Sequence, residues 1–196
     1  MPRQPTDSEL VARTRAGEER AFAMLVDRHK DALVGYLTRM SGSHAMAEDL
    51  AQETFLAFYR HLPRYREDGR LRAFLFTIAT NLLRSAERRE RRRRLLGASP
   101  EPAPEEGGPS GGINGRRAGP EDAVYRTELR KRLSAALAGL PMRYRVPVVL
   151  HDVMGWSHAE IAGLLGTREG TVKSRIFRGR ERLRAELASL AGGRER

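Results

Sequence analysis

The sequence predicts an all-α protein made of two small helical domains joined by a flexible linker, with a helix-turn-helix in the C-terminal domain. Apolar residues recur at helical spacing along the 196-residue chain, and strand signals are missing. Residues 97–120 hold seven Gly and five Pro with almost no large apolar residue, so this segment cannot bury enough surface to offset its ordering entropy. The predicted domains are therefore residues 8–96 and 121–190, with residues 97–120 as the linker.

Four helices are predicted in the N-terminal domain. The first begins near a Ser8 cap, and the others cover about residues 19–40, 44–61 and 71–96. The apolar spacing of the fourth helix predicts one buried stripe, formed by Leu71, Phe74, Leu75, Ile78, Ala79 and Leu82.

The C-terminal domain begins with two predicted helices, residues 121–137 and 141–153. Pro141 suits the first turn of its helix, where a missing N–H costs nothing. Pro147 lies deeper in the same helix, so we expect it to remove a backbone hydrogen bond and to bend the helix.

Two further helices follow in the C-terminal domain. Ser157 and Glu160 have the spacing of a capping box, which opens a short helix that Gly166 ends. Thr167 is then placed to cap the next helix, which is strongly basic. Two helices joined by a tight glycine turn, the second of them basic, are typical of a helix-turn-helix.

The composition indicates which class of partner the protein binds and excludes several kinds of site. A formal net charge of +11 and a pI near 11.0 predict a polyanionic partner, most often nucleic acid, with a membrane surface as the second choice. The chain has no cysteine, which excludes disulfides and thiolate metal sites, and no apolar run long enough for a membrane span. The polar N-terminus lacks a signal core, so a cytoplasmic protein is expected.

An enzyme is not expected. The five histidines, at positions 29, 44, 61, 151 and 158, lack metal-ligand spacing and a carboxylate cluster, and the Gly-rich segment lacks the phosphate-loop pattern. We therefore expect no metal, no cofactor and no catalytic residue. His29 and His158 are expected on helix surfaces.

The basic helix has two faces. At 100° per residue its core stripe is Val172, Ile176, Leu183, Leu187 and Leu190. Opposite this stripe lie Lys173, Ser174, Phe177 and Arg178, whose side chains suit base edges in a major groove, including a thymine methyl for the aromatic ring. The alternative for Phe177 is packing on the preceding helix. Arg168 and Arg175 suit phosphates, or else form a solvated face.

Residues 140–187 resemble the −35-binding domain of bacterial sigma factors of the extracytoplasmic-function (ECF) group. The shared positions include Leu140-Pro141, Arg145, Gly155, Glu160-Ile161-Ala162 and the run from Gly170 to Arg175. The resemblance implies that promoter −35 DNA is read by Lys173, Ser174, Phe177 and Arg178. The full predicted −35 set is Arg168, Thr171, Lys173, Ser174, Arg175, Phe177 and Arg178.

An acidic face is predicted on the third helix. Its apolar side is formed by Ala47, Leu50, Phe55, Phe58 and Leu62, and Asp49, Gln52 and Glu53 project from the other side. By composition alone this is an ordinary solvated face. The motif is similar, however, to the sigma-factor segment that grips the clamp helices of the RNA polymerase largest subunit. This resemblance implies core-polymerase contacts at Asp49, Gln52 and Glu53, supported by Leu50 and Phe55.

A loop at residues 64–70 precedes an arginine-rich helix end, and together they suit single-stranded DNA. The alternative is that the arginines only solvate the helix and that Tyr65 packs on the domain. The helix resembles the family's −10 recognition and melting helix, although Phe74 and Ser85 replace its usual tryptophan and aspartate. The implied −10 contacts are Tyr65, Arg66, Asn81, Arg84 and Arg88.

Two hypotheses follow from these patterns. The first is a sigma factor that binds core RNA polymerase and promoter DNA; by resemblance it is held inactive by an anti-sigma factor, often at the membrane. The second is a stand-alone helix-turn-helix regulator that binds duplex DNA without polymerase. The acidic face at Asp49, Gln52 and Glu53 favours the first, because the regulator does not need it.

Overall fold

The computed structural model describes residues 3–96, 129 and 132–192, with side chains up to residue 188. Every regular element in these ranges is a helix, and they contain no strand. The chain divides into two compact units, Met1–Leu37 with Ala45–Ala103 and Thr38–His44 with Pro104–Arg196. The predicted linker at 97–120 lies outside the described residues, so the domain boundaries stay predictions.

The first unit contains four helices: α1 (Asp7–Arg15), α2 (Glu19–Ser41), α3 (His44–His61) and α4 (Leu71–Leu95). Their bounds agree closely with the predicted ranges, except that the cap of α1 is Thr6 and not Ser8. The Thr6 hydroxyl accepts from the Glu9 N–H at 3.2 Å, and the Glu9 carboxylate accepts from the Thr6 N–H at 2.7 Å. This reciprocal capping box satisfies two backbone donors that Ser8 is too far into the helix to reach.

The buried face of α4 differs from the predicted stripe. Phe74, Ile78 and Leu82 are only half-buried, whereas the face in the core consists of Leu71, Leu75, Phe76, Ala79, Thr80 and Leu83. A polar residue is tolerated there because the Thr80 hydroxyl donates to the Phe76 carbonyl at 2.7 Å and lies 2.9 Å from the Tyr36 hydroxyl of α2. The helix is therefore rotated about its axis so that the Phe74 ring packs against Phe58 and Tyr65, next to the loop at 64–70.

The surface position predicted for His29 is wrong, because its side chain is 8% exposed. Its Nε2 lies 2.9 Å from Oδ2 of Asp7, whose other oxygen accepts from Arg28 Nη1 at 2.6 Å. One carboxylate at the start of α1 thereby holds two neighbouring residues of α2. His158 is half-buried, and its ring stacks on that of His151 at 4.5 Å.

The second unit contains α5 (residues 132–139), α6 (Met142–Val148), α7 (His158–Leu165) and α8 (Glu169–Gly192). Most of the predicted helix at 121–137 lies outside the described residues. Pro141 caps α6, and Pro147 is buried inside it. Directly after α6, the backbone widens into a π-helical turn, Val149–Val153, as expected where a proline removes a hydrogen bond from the ladder.

The helix-turn-helix is formed by α7 and α8. Ser157 and Glu160 make the predicted capping box, with Glu160 N to Ser157 Oγ at 3.2 Å and Ser157 N to Glu160 Oε2 at 2.8 Å. Gly166 ends α7 in the left-handed region, with φ 60° and ψ 42°, which only glycine adopts at no steric cost. The helix α8 then begins at Glu169, two residues after Thr167.

Candidate nucleic-acid and polymerase interface

The helix α8 buries one face and exposes the other. Val172 and Ile176 are buried on the predicted core stripe, and Leu183 and Leu187 are half-buried; the Leu190 side chain lies outside the described residues. Phe177 is 67% exposed, so the alternative in which it folds back onto the preceding helix is not what the structure shows. An aromatic side chain this exposed, on a helix this basic, is available to a DNA partner.

The other predicted −35 residues share the exposed part of α8 and the turn before it. Arg168, Lys173, Ser174 and Arg178 are exposed, and Thr171 and Arg175 are half-buried. The Ser174 hydroxyl donates to the Thr171 carbonyl at 2.9 Å. Its proton is thus used within the helix, which leaves the oxygen lone pairs to accept a hydrogen bond from a base amino group.

Two contacts hold α8 against α6 and its π-helical turn. Arg180 forms a bidentate ion pair with Asp152, with Nε to Oδ2 at 3.0 Å and Nη2 to Oδ1, and this pairing raises the pKa of Arg180. Gly179 lies so close to α6 that an ideal Cβ would be 2.6 Å from Val148 Cγ2. The basic helix is therefore a rigid part of its unit, as a base-reading element must be.

The predicted polymerase-contact residues divide into two groups on α3. Asp49, Gln52 and Glu53 are exposed, and neither carboxylate has an ion-pair partner in the part of the chain that the structure describes. Leu50 and Phe55 are each 5% exposed. They support the helix from below and do not reach its surface, so only the three polar residues are available for direct contact.

Sequence reasoning missed an apolar extension of this acidic face. On the same helix Leu56 is 46% exposed and Tyr59 is 51% exposed, and the Tyr59 ring meets Phe22 of α2 edge-on at 5.0 Å. Leu56 follows Gln52 and Glu53 at i+4 and i+3, which places it on their side of the helix. The spacing of Leu56 from Gln52 and Glu53 is the signal in the sequence that indicates this position.

Tyr65 packs on its own domain, which is the alternative geometry considered for it. Its ring lies 4.8 Å from Phe74 and 5.6 Å from Phe58, centroid to centroid. Burial raises the pKa of the Tyr65 hydroxyl, and the negative charge of Glu67 adds to the rise. Oε1 of Glu67 accepts from the Gly69 N–H at 2.6 Å, which closes the loop on itself. Tyr65 thus forms a wall of the loop, and Arg66 beside it is exposed.

The remaining −10 candidates lie on the later half of α4. Asn81 and Arg88 are exposed and Arg84 is half-buried, and Arg88 Nη2 donates to Ser85 Oγ at 3.0 Å. Residues 91–96 are all exposed, and Arg94 Nε pairs with Glu90 Oε1 at 2.9 Å. Residues 84–94 contain seven arginines and two glutamates, a net charge of 7 − 2 = +5 on one helix end.

Two family models match the chain, and together they cover more than half of it. Sigma-70 region 2 matches residues 25–93, and Sigma-70, region 4 matches residues 130–183. The chain belongs to the sigma-70 family. Region 2 includes α3, the loop and most of α4, and region 4 includes the helix-turn-helix, so all three candidate surfaces of this sigma factor fall inside the matched regions.

Similar proteins of known name place this sigma factor in the ECF group. It is 35% identical over 185 residues to the ECF sigma factor SigW of Bacillus subtilis, covering 92% of this chain and 96% of the relative. It is 32% identical over 190 residues to the ECF sigma-E factor of Escherichia coli K12, covering 97% and 98%. It also matches ECF SigE of Mycolicibacterium smegmatis at 38% identity over 164 residues, which is 84% of this chain but 60% of that relative.

Two solved structures share the fold. CnrH in complex with the cytosolic domain of CnrY has a TM-score of 0.67 at 27% identity, covering 93% of this chain and 97% of that one. The sigma factor RpoE of Bartonella quintana in complex with the anti-sigma factor NepR has a TM-score of 0.62 at 28% identity, covering 85% and 96%.

The family decides between the sequence-based hypotheses. A stand-alone regulator has no use for a region 2, so the second hypothesis is set aside. Sigma factors are specificity factors of transcription initiation and not catalysts. Within the described residues, no group of three His, Cys, Asp or Glu side chains is arranged to hold a metal ion. No helix in those ranges is long and apolar enough to cross a membrane.

Proposed function

We propose that this sigma factor binds core RNA polymerase through the acidic face of α3 and selects promoters through two separate DNA surfaces. The single observation that carries the proposal is the division of charge along the chain. In a protein of net charge +11, α3 exposes the carboxylates of Asp49 and Glu53, which have no ion-pair partner among the residues that the structure describes, whereas α8 and the end of α4 expose mainly arginines. One surface therefore suits a basic protein partner, and the other two suit phosphate.

The polymerase contact is assigned to Asp49, Gln52 and Glu53. Their spacing at i, i+3 and i+4 puts them on one face, and the buried Leu50 and Phe55 fix the helix beneath them. An exposed carboxylate on such a face can accept charge-assisted hydrogen bonds from an incoming lysine or arginine. The half-exposed Leu56 and Tyr59 give the same face apolar area of the kind found at the centre of protein interfaces.

The −35 contact is assigned to the first turns of α8. Phe177 offers apolar area to a thymine methyl, and Ser174 offers an acceptor. The exposed Lys173 and Arg178 can reach guanine acceptors or phosphate. Arg168, Thr171 and Arg175 lie at the edges of this face and suit the DNA backbone.

The −10 contact is assigned to the loop at 64–70 and to α4. The net charge of +5 on residues 84–94 suits the backbone of a separated strand, and Asn81 can reach a base edge. Because Tyr65 is packed against Phe74, we assign it the role of holding the loop in place, with Arg66 as its exposed contact residue.

An anti-sigma factor is proposed as a further partner, and the cytoplasm as the location. Two structural relatives were solved with such partners or with a cytosolic partner domain, namely RpoE with NepR and CnrH with CnrY. Fractionation of cells that carry the tagged chain tests where it is held: recovery in the membrane fraction would indicate a membrane-anchored partner, and recovery in the soluble fraction would contradict one.

The proposal is tested by capture of purified core RNA polymerase on the immobilised chain, comparing Asp49→Ala/Glu53→Ala with Asp27→Ala/Asp31→Ala. Both double variants remove two exposed carboxylates at i, i+4 spacing from a helix of the first unit. We expect capture to fall at least tenfold for the α3 pair only, since a desolvated charge pair at an interface is worth about 2–5 kcal/mol. Equal capture by both variants would remove the α3 assignment, and failure of the wild type to bind core would remove the proposed function.

A further inference from the structure

The end of α4 carries the two most exposed large apolar side chains among the residues that the structure describes. Leu95 is 77% exposed and Leu96 is 84% exposed, whereas the next in order, Phe177, is 67% exposed. Leu95 is the last residue of the helix, and Leu96 follows it as the C-cap, where its N–H donates to the Arg92 carbonyl at 3.1 Å. Hydrogen-bonded backbone therefore presents Leu95 and Leu96, the apolar tip of α4, to solvent.

A row of arginines precedes the apolar tip along one face of α4. The row and the first leucine have the spacing i, i+4, i+7, i+8 and i+11, and they are Arg84, Arg88, Arg91, Arg92 and Leu95. At 100° per residue this spacing keeps all five within about 100° around the helix axis. Arg84 is half-buried and the other three arginines are exposed. This face is thus basic over about 16 Å and apolar at its end.

The charge of the arginine row is not offset by nearby carboxylates. Arg84, Arg91 and Arg92 have no ion-pair partner in the described part of the chain. Glu90 pairs with Arg94 at 2.9 Å, and it lies about 140° around the helix from Leu95, on another side. The row can therefore meet a flat anionic surface with several positive charges at once.

We propose that the end of α4 binds the surface of an anionic phospholipid bilayer. The arginine row contacts the headgroup phosphates, and the apolar tip enters the boundary between the headgroups and the acyl chains. Clusters of basic residues are attracted to anionic lipid, and an apolar anchor adds a second signal to an attraction that is weak and reversible on its own. The helix lies on the bilayer and does not cross it. This binding does not depend on polymerase or promoter binding.

The two leucines favour a bilayer over other anionic partners. A separated DNA strand can also bind the arginines, but its bases stack on aromatic rings, and leucine offers no ring. A protein groove that receives a helix binds apolar anchors at i, i+3, i+4 and i+7. The residues seven, four and three positions before Leu95 are instead all arginines, namely Arg88, Arg91 and Arg92. A bilayer requires only a basic face and an apolar tip.

Lipid and the −10 strand compete for the same face of α4. The arginine row includes Arg84 and Arg88, which are assigned above to the −10 contact. A chain bound to the bilayer therefore has part of its −10 surface covered, and it is held inactive without a protein partner. This consequence rests on the proposed −10 assignment, whereas lipid binding itself does not.

The first test is co-sedimentation of the purified full chain with vesicles. One set is phosphatidylcholine alone, and the other is phosphatidylcholine with an equal amount of the anionic phosphatidylglycerol. The variant Arg91→Gln/Arg92→Gln removes two charges of the arginine row. The control Arg20→Gln/Arg60→Gln removes two exposed arginines of α2 and α3, and so the same total charge. Circular dichroism and thermal unfolding check that each variant is folded.

We expect the wild type to bind the anionic vesicles and not those of phosphatidylcholine alone. The variant of the arginine row should bind the anionic vesicles at least about tenfold more weakly, since each basic residue close to such a surface contributes about fivefold in affinity. The control should lose less than about threefold, because salt screens charges that lie far from the surface. A wild type that does not bind anionic vesicles, or equal losses for the two variants, would overturn the site.

A second variant tests the apolar tip and separates lipid from DNA. Leu95→Ser/Leu96→Ser should weaken binding to anionic vesicles by about fivefold or more, since it removes two apolar side chains from the acyl boundary. It should leave the affinity for a single-stranded oligonucleotide unchanged. Val153→Ser, at a 47% exposed apolar position of the second unit, is the control and should change neither affinity. An unchanged vesicle affinity of the leucine variant would overturn the proposal, and an equal loss on the oligonucleotide would assign the tip to nucleic acid.

Because the vesicles contain no protein, these results are independent of core capture and of any anti-sigma factor. A chain that binds core through α3 but does not bind anionic vesicles would keep the proposed function and lose the membrane site. A chain that binds the vesicles but not core would keep the membrane site and lose the proposed function. Addition of the oligonucleotide should release the wild type from the vesicles, and simultaneous binding of both would contradict the competition.

Discussion

The guanidinium of Arg15, at the end of α1, donates a hydrogen bond to the carbonyl oxygen of Tyr65, 2.6 Å away and 50 positions further along the chain. The same Nη2 donates to the carbonyl of Leu62 at 3.2 Å. One side chain therefore satisfies two carbonyls where α3 ends and where the loop at 64–70 begins. The first helix of the unit thus fixes the starting point of the proposed −10 loop.

Replacing Arg15 should loosen this loop. We expect Arg15→Ala to lower the free energy of unfolding by about 1–2 kcal/mol, since it leaves two carbonyls without a charged donor. Hydrogen exchange should increase selectively between residues 62 and 70. Lys30→Ala, at an exposed position of α2, is the control and should change neither quantity. Unchanged exchange in the loop of Arg15→Ala would show that the aromatic contacts alone hold it.

Phe177 should matter for DNA and not for folding. Its ring is 67% exposed, so Phe177→Ala removes little buried area and should leave the melting temperature nearly unchanged. If the ring contacts a base, affinity for a duplex that the wild-type chain selects from a randomised pool should fall about tenfold, while affinity for a scrambled duplex of the same length stays the same. Anisotropy titrations at one salt concentration measure both. An equal fall on the two duplexes would contradict base contact.

We expect even the smallest substitution of Gly179 to destabilise the protein. Gly179→Ala places a methyl group 2.6 Å from Val148 Cγ2, and we expect it to destabilise the protein by about 1–3 kcal/mol as α8 is pushed from α6. Gly163→Ala is the matched control, because it is also helical but has no atom within 4 Å of its added Cβ. The control should be neutral or stabilising by up to about 1 kcal/mol. Denaturant unfolding of the full chain distinguishes the two.

The capping box of α1 predicts a pH dependence. Hydrogen bonding from the Thr6 backbone N–H lowers the pKa of Glu9 below its usual 4.5, with the Thr6 hydroxyl as the next cause. A folded-state pKa that is depressed means that Glu9 contributes stability above the unfolded value, and that this is lost as pH falls through the lower folded value. The difference in melting temperature between wild type and Glu9→Gln should be constant above about pH 5 and shrink below pH 4.5.

Thr6→Ala separates this charge effect from ordinary capping. It removes the hydroxyl that accepts from the Glu9 N–H but keeps the Thr6 backbone N–H that Glu9 binds. It should cost about 1 kcal/mol while keeping an acid-sensitive contribution from Glu9. A difference between wild type and Glu9→Gln that persists at pH 3 would show that the carboxylate charge is not what stabilises the cap.

Local patterns predicted the local features. The capping box at Ser157 and Glu160, the glycine that ends α7 and the bounds of α3 all depend on residues within a few positions of each other, and all are present. The capping position of α1 was misplaced by two residues because Thr6 and Ser8 are both good caps, and only the approach of the Glu9 carboxylate to the Thr6 N–H decides between them.

Features that join distant parts of the chain were not predictable from periodicity. The contacts of Arg15 with Tyr65 and of His29 with Asp7 depend on how the helices pack against one another, and helical spacing does not predict that packing. The same holds for α4, where Thr80 lies in the core because Tyr36 is placed opposite its hydroxyl. Likewise, Arg143 of α6 and Arg182 of α8 lie over the Tyr144 ring at 4.8 Å and 5.1 Å, because the two helices approach closely at Gly179.

The exposed end of α4 has a consequence for the temperature dependence of promoter opening. Residues 91–96 are exposed among the residues that the structure describes, and four consecutive arginines repel one another there. In that part of the chain the helix end is held by its backbone hydrogen bonds and by the pair of Arg94 with Glu90. Such turns fray readily. A DNA strand that neutralises the arginines therefore also orders the helix. Binding at this end should accordingly be more favourable in enthalpy and less favourable in entropy than binding to the preformed surface of α8.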